Sequence, residues 1–259
     1  MALTTDLANY YKLDESSGDA IDAHGSDDGT VSGATQGSTG KINTGYSFDG
    51  TSDYIDFGKS LLPTGSNADF SVNFWGYWDG GGTTLNAYIT QYSGTVAGRF
   101  TIGPLTSTGK IEVRIGNTST ISSTAMTQDE YVMITVTRSS GTVTIYQDGS
   151  SDGSETNSTT ISPDTTRFGE RNHDGAFDVN GFLDEVGIWE RALTSTEITA
   201  LYNSGSGLAY PFTTGTNCKI NIGDTFKDVS EFKINIGDDW KAVTKVQQNI
   251  GDSWKTVFG

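Results

Sequence analysis

An all-β chain is predicted, an antiparallel jelly-roll sandwich followed by a small C-terminal module of β-hairpin repeats, and three observations predict it. The first is composition: 33 glycines beside abundant Ser, Thr, Asn and Asp, with only 4 prolines in 259 residues, supply turns rather than disorder. The second is a series of short apolar-rich runs over residues 1–212, separated by Gly, Asn, Asp or Ser clusters, as in a two-sheet sandwich. The third is a terminal unit met three times: CKINIGDTFKDVSE, FKINIGDDWKAVTK and VQQNIGDSWKTVFG. A sustained period marks an assembled architecture, because one such unit cannot bury its own apolar face.

In chain order, strands are expected at 46–48, 54–57, 70–78, 87–92, 99–102 and 110–115. A hairpin follows, 131–138 against 142–147 across Ser139-Ser140-Gly141, and a late strand covers 182–189. One helix is expected after it. Thr194 and Glu197 form a Thr-x-x-Glu capping box; Ile198, Leu201 and Tyr202 form an apolar stripe, and Gly205 ends it. Residues 213–217 read as a linker between the sandwich (1–212) and the repeats (218–259).

Within a repeat, Phe232, Ile234 and Ile236 alternate with Lys233 and Asn235, and Gly237-Asp238 supplies turn chemistry before Trp240. Three tandem hairpins result. The segment is poor in large apolar side chains for the cost of ordering it, so Ile222, Phe226, Ile236, Trp240, Ile250 and Trp254 are expected to complete a core with a sister chain or a larger assembly. The alternative is a small independent β-domain.

Charge and motifs exclude several function classes. A formal charge of −16 leaves no basic stripe to displace phosphate counterions, which argues against nucleic-acid partners. Cys218 stands alone, so neither an intrachain disulfide framework nor a cysteine zinc site is expected. No apolar run reaches membrane-spanning length, and MALTTDLANYYKLDE lacks the basic start and apolar stretch of a secretion signal. No Gly-x-Ser-x-Gly elbow, phosphate loop or dinucleotide fingerprint occurs.

Five blocks carry a family resemblance: YKLDESSGDAIDAHGSDDGT, GYSFDGTSDYIDFG, FSVNFWGYW, YVMITVTRSSGTVTIYQDGS and GFLDEVGIWERALTSTEITALYNSG. In this order they resemble laminin G-like, concanavalin A-like lectin domains, and the likeness covers roughly residues 1–212. The resemblance implies a jelly-roll sandwich that binds carbohydrate and holds calcium. Carried over by position, the calcium ligands it implies are Asp22, the Gly25 and Asp27 region, and Asp184, although His24-Gly25-Ser26-Asp27 departs from the usual Gly-Asn-Gly-Asn. Mixed Asp side chains and free carbonyls around glycine suit that hard cation, while an ion-free Asp/Gly turn is the alternative. For sugar binding, Trp78, Tyr88, Tyr92 and Arg99 are the candidates, set against core roles for most of the aromatics.

Hydrolases on this type of sandwich carry a Glu-x-Asp-x-x-Glu strand; here Val186 stands where the middle acid belongs, and by alternation Asp184 and Glu190 lie roughly 20 Å apart. An enzyme is therefore not expected. The INIGDxWK repeats look like short repeats of bacteriophage virion and tail proteins. The expected function is thus a phage virion protein, a capsid decoration, head fibre or tail-associated component assembled in the host cytoplasm. It would adhere to host or environmental glycans, attach to capsid or tail proteins through its repeats, and form a homo-oligomer, possibly a trimer. The alternatives are a carbohydrate-binding module of a cellular or secreted bacterial protein, and a purely structural decoration.

Overall fold

The computed structural model describes residues 3–81, 85–92, 94–171 and 177–212, and, beyond these, the strands of the C-terminal segment. The chain divides into two compact units, Met1–Tyr210 and Pro211–Gly259.

The first unit begins with β1 (Leu7–Tyr11), β2 (Thr30–Ser32), β3 (Thr35–Thr39), β4 (Thr44–Asp49), β5 (Tyr54–Asp56) and β6 (Phe70–Trp78). It continues with β7 (Ile89–Gln91), β8 (Phe100–Pro104), β9 (Lys110–Ile115), β10 (Thr118–Ala125) and β11 (Tyr131–Ser139). Then come β12 (Thr142–Gln147), β13 (Ser150–Thr156), β14 (Thr166–Phe168), β15 (Asn180–Trp189) and the helix α1 (Ser195–Tyr202). One sheet runs β13-β12-β11-β6-β15-β4-β3, with β1 also on β15; the other runs β10-β9-β8-β7-β14-β5-β2, and all pairings are antiparallel. Two facing antiparallel sheets with crossovers between them are the jelly-roll sandwich that the strand pattern predicted.

Alternation explains the core. Phe70, Val72 and Phe74 of β6, Val132, Ile134 and Val136 of β11, and Leu183, Val186 and Ile188 of β15 line one inner face. Ile55, Ile89, Phe100, Ile102, Ile111, Val113 and Phe168 line the other. Each such side chain, fully buried, contributes about 1.5–3 kcal/mol. Trp75 is buried too, but outside this cluster: its ring stacks on Tyr202 of α1, with the Lys41 ammonium 4.5 Å from its centroid.

Two sheet edges approach one another. A Cβ on Gly153 of β13 would stand 2.6 Å from the carbonyl oxygen of Ile121 on β10, so only glycine fits there. The hairpin turn is Ser140-Gly141, both at positive φ (48° and 80°), a two-residue loop matched to strand twist. The helix begins as predicted: Thr194 and Glu197 bond reciprocally in a capping box, and the Glu197 carboxylate also takes both ends of the Arg191 guanidinium. It ends two residues before Gly205, at Asn203 in the left-handed region (φ 48°), because an asparagine tolerates that conformation. Thr194→Ala should lower unfolding free energy by about 1 kcal/mol in a urea titration, leaving the fold unchanged.

In the second unit, β16 (Cys218–Ile222) pairs with β17 (Thr225–Val229), β18 (Lys233–Ile236) with β19 (Asp239–Ala242), and β20 (Val246–Ile250) with β21 (Ser253–Phe258). These are the three expected hairpins, each a separate two-stranded sheet. Their registers repeat: Asn221 stands opposite Phe226, Asn235 opposite Trp240, and Asn249 opposite Trp254. Ile222, Ile236 and Ile250 each close the first strand of a hairpin. The Gly-Asp turns and the linker 213–217 lie outside the described residues.

Candidate functional site

Residues 22–29 form a loop organised around one carboxylate. Asp22 Oδ1 accepts the backbone N–H groups of Tyr10 (3.0 Å), His24 (3.1 Å) and Gly25 (2.9 Å). Its Oδ2 accepts from Asn9 Nδ2 (2.7 Å) and from the Asp27 N–H (3.2 Å). Burial by itself would raise this carboxyl, but the donors on Asn9, Tyr10, Gly25 and Asp27 hold it below the usual carboxylate range. Gly25 is required by space, since a Cβ there would lie 2.5 Å from Asp22 Oδ2 and 2.9 Å from the Ala8 carbonyl oxygen.

The structure thus brings Asp22, Gly25 and Asp27 together but spends their oxygens internally. Asp27 pairs with Lys59 and accepts from Asn9, and its carbonyl accepts from Tyr11. Asp184 belongs to a different neighbourhood: its Oδ2 accepts from the Ile42 N–H (2.9 Å) and lies beside Gly40 and Gly45. Among the described residues no group of three His, Cys, Asp or Glu side chains converges to hold a metal. A carboxylate already receiving five N–H hydrogens has no lone pair to turn toward a hard cation, which needs six to eight oxygens. The expected set of Asp22, Gly25, Asp27 and Asp184 therefore does not fit calcium as one site.

Asp184 and Glu185 sit at a bulge where the edge of β15 passes from β4 (paired through Leu183) to β1 (paired from Val186). On the other side, Asp184 opposes Trp75 and Gly187 opposes Asn73, one extra residue on β15, and Glu185 takes φ 51°. The bulge breaks the strict alternation assumed from sequence, so both carboxylates lie on the side of the sheet away from Leu183 and Val186, where they are nonetheless covered, at 0% and 2% exposure. Burial pushes Asp184 up to about 8 and Glu185, bonded to the Tyr10 hydroxyl, up to about 7. Neither is accessible to a substrate, while Glu190 is exposed on the strand's end.

Three of the expected sugar-binding residues are corrected: Trp78 (5% exposed), Tyr88 (0%) and Tyr92 (5%) are interior side chains, whereas Arg99 is half-exposed with its Nε donating to the Gly116 carbonyl. Trp78 packs in the inter-sheet core with its indole N–H on the Gly81 carbonyl, so it offers no face to a ligand.

An open groove of about 590 Å³ lies instead at the β2–β5 edge of the seven-stranded sheet, lined by Asp28, Thr30, Val31, Ser32, Tyr54, Asp56, Phe57 and Gly58. Its floor follows from pleating. Val31 and Ile55 pair and turn inward, so the pairs Thr30–Asp56 and Ser32–Tyr54 turn outward. The outward row extends across the sheet as Thr30, Asp56, Arg167, Thr90, Thr101 and Arg114, each opposite the next. Arg167 holds the groove rigid: its guanidinium lies 4.2 Å from the Tyr54 ring centroid, 2.8 Å from Asp56 and 2.9 Å from Glu170. One face of Tyr54 is thereby covered and its position locked. Asp28 Oδ1 accepts from the Asp22 N–H, while Asp28 Oδ2 and the hydroxyls of Thr30, Ser32 and Tyr54 have no protein partner among the described residues. An aromatic ring beside solvent-facing hydroxyl and carboxylate oxygens that no protein group engages is the chemistry that receives a polyhydroxylated ligand. The sequence signal was present in Tyr54-Ile55-Asp56, read there only as a strand.

Two antiparallel sheets in jelly-roll order, with a polar outward row and a groove at one edge, define a lectin-like β-sandwich. The chain belongs to the concanavalin A-like lectin/glucanases superfamily, whose laminin G-type sequence profile matches residues 49–199. No curated protein matches it in sequence. Domain 4 of AbnA, a GH43 extracellular arabinanase from Geobacillus stearothermophilus solved with arabinotriose, superimposes with a TM-score of 0.59 at 19% identity, over 75% of this chain and 97% of that one. The binding domain of Paraclostridial Mosquitocidal Protein 1 gives 0.60 at 18% identity, over 78% and 52%. Trypanosoma rangeli sialidase in complex with sialic acid gives 0.63 at 14% identity, over 80% of this chain but 35% of the enzyme. At these identities the likeness is one of fold.

Proposed function

We propose that this chain is a non-catalytic carbohydrate-binding protein of a bacteriophage virion, a capsid decoration, head fibre or tail-associated component. Its sandwich engages host or environmental glycans, and its repeats attach it to capsid or tail proteins and to sister chains as a homo-oligomer, of which a trimer is one candidate. The observation that carries the reading is the groove: a locked tyrosine among solvent-facing oxygens without protein partners at an accessible sheet edge. A shared fold with an arabinanase domain solved with arabinotriose supports a sugar as the ligand. The burial of Asp184 and Glu185, the acids on the strand where hydrolases of this sandwich carry theirs, supports the non-catalytic reading. The attachment role rests on three hairpins in one repeated register, none paired to another among the described residues.

Two measurements test this. On a glycan array, the intact protein should bind at least one class of glycan, and Tyr54→Ala should weaken that binding about tenfold with an unchanged melting temperature, the loss expected for one aromatic contact. A variant ending at residue 212 should fold and keep glycan binding but fail to enter particles. Normal incorporation of that truncated chain would remove the attachment role, and array binding indifferent to Tyr54 would remove the groove.

A further inference from the structure

We infer that the β2–β5 groove selects uncharged glycans and rejects those bearing carboxylate, sulfate or phosphate groups; this rests on the carbohydrate-binding reading and names the ligand class. Two carboxylates, Asp28 and Asp56, line the groove, and a third, Glu170, stands behind Arg167. The cations that adjoin it are already engaged. Arg167 divides its guanidinium between Asp56 and Glu170, and the Lys59 ammonium, next to lining residue Gly58, is bonded to Asp27. An incoming anion thus meets no uncommitted cation and at least one carboxylate oxygen, Asp28 Oδ2, that no protein donor neutralises.

A sugar hydroxyl, in contrast, satisfies every group on offer. It donates to Asp28 Oδ2 in a charge-assisted hydrogen bond, and it exchanges donors and acceptors with the hydroxyls of Thr30, Ser32 and Tyr54. An apolar ring face meets the side of Tyr54 that Arg167 does not cover. Asp56 is not free to take part in the same way: Oδ1 accepts the Gly58 N–H and Oδ2 the Arg167 guanidinium, so its role is to fix the wall. Discrimination then comes from repulsion built beside the attractive contacts. The overall charge of −16 adds a long-range field of the same sign.

The test is affinity electrophoresis of the full chain through gels containing neutral polysaccharides (dextran, mannan, arabinan) or acidic ones (polygalacturonate, polysialic acid), at low and high ionic strength. Retention by at least one neutral polymer, with acidic polymers held at least about tenfold more weakly at low salt and the gap narrowing at high salt, is the expected result. Asp28→Asn, which keeps the acceptor for the Asp22 N–H, should weaken neutral binding about tenfold and shrink the gap. Equal or tighter retention by acidic polymers overturns this inference and leaves glycan binding standing. No retention by any polymer removes both. A preference unchanged in Asp28→Asn, with melting also unchanged, overturns the assignment to this groove.

Discussion

Asp184→Asn raises the thermal stability of the sandwich at neutral and alkaline pH, and the wild-type protein loses stability as pH climbs from about 4 to about 8. Asp184 is fully buried on the β15 bulge, its Oδ2 held by the Ile42 N–H and its Oδ1 without a partner. Burial raises its carboxyl from 3.8 to about 8, and that of Glu185 from 4.5 to about 7. The sign follows from proton counting. Between the unfolded and folded values the native state holds protons that the unfolded chain has released, so stability falls with rising pH through that window. Each fully titrating group contributes about 1.4 kcal/mol per pH unit. Asparagine keeps the acceptor for Ile42 and carries no charge, so the variant gains about 2 kcal/mol or more at pH 8 and loses most of the pH slope. Urea titrations from pH 5 to 9, with chelator present, measure it. A wild-type slope that is flat or rises with pH would sink the prediction.

Asp22→Ala has the opposite sign and a comparable size. Five N–H donors converge on that carboxylate, from Tyr10, His24, Gly25, Asp27 and Asn9, and the residue is buried. Alanine leaves them without an acceptor and unties the loop from β1, which we expect to cost about 3–5 kcal/mol. Asp22→Asn is milder, since its remaining oxygen still serves Oδ1's three donors. The depressed carboxyl contributes stability above about pH 4 that is lost as pH falls through its folded value, so the variants and wild type converge in acid. Calcium and chelator should leave the wild-type melt unchanged. A rise of several degrees with calcium would show that a cation replaces those hydrogens and would reverse our reading of the loop.

Some elements were legible and others were not, for definable reasons. Strands 70–78, 110–115 and 142–147 were read at their observed bounds because each carries Val, Ile or aromatic residues on the buried face. The Thr194 capping box was equally direct, being a local reciprocal hydrogen bond. Strands β10 and β13, TSTISSTA and SSDGSET, were missed because they are edge strands of Ser and Thr with almost no apolar face. Strands β2 and β14 have three residues each, too short for any period to register. Among site residues, the expected Trp78, Tyr88 and Tyr92 are interior, whereas the half-exposed Tyr54 carries the groove. Residue type alone does not say which face of a strand an aromatic occupies.

Local and periodic information was therefore enough to determine the all-β class, the sandwich, the capped helix and the three hairpins, since alternation, turn residues and caps act over a few neighbouring residues. What depended on tertiary structure was everything requiring two distant segments to meet. The pairing of Thr30 with Asp56 and of Asp56 with Arg167 builds the groove, and the bulge at Glu185 places two acids together on the side of the sheet away from the inter-sheet core. The Asp22 carboxylate likewise became a hub for N–H donors only once β1 lay beside its loop. Register between strands is a cooperative, long-range property, and one residue of slip exchanges the faces on which function depends.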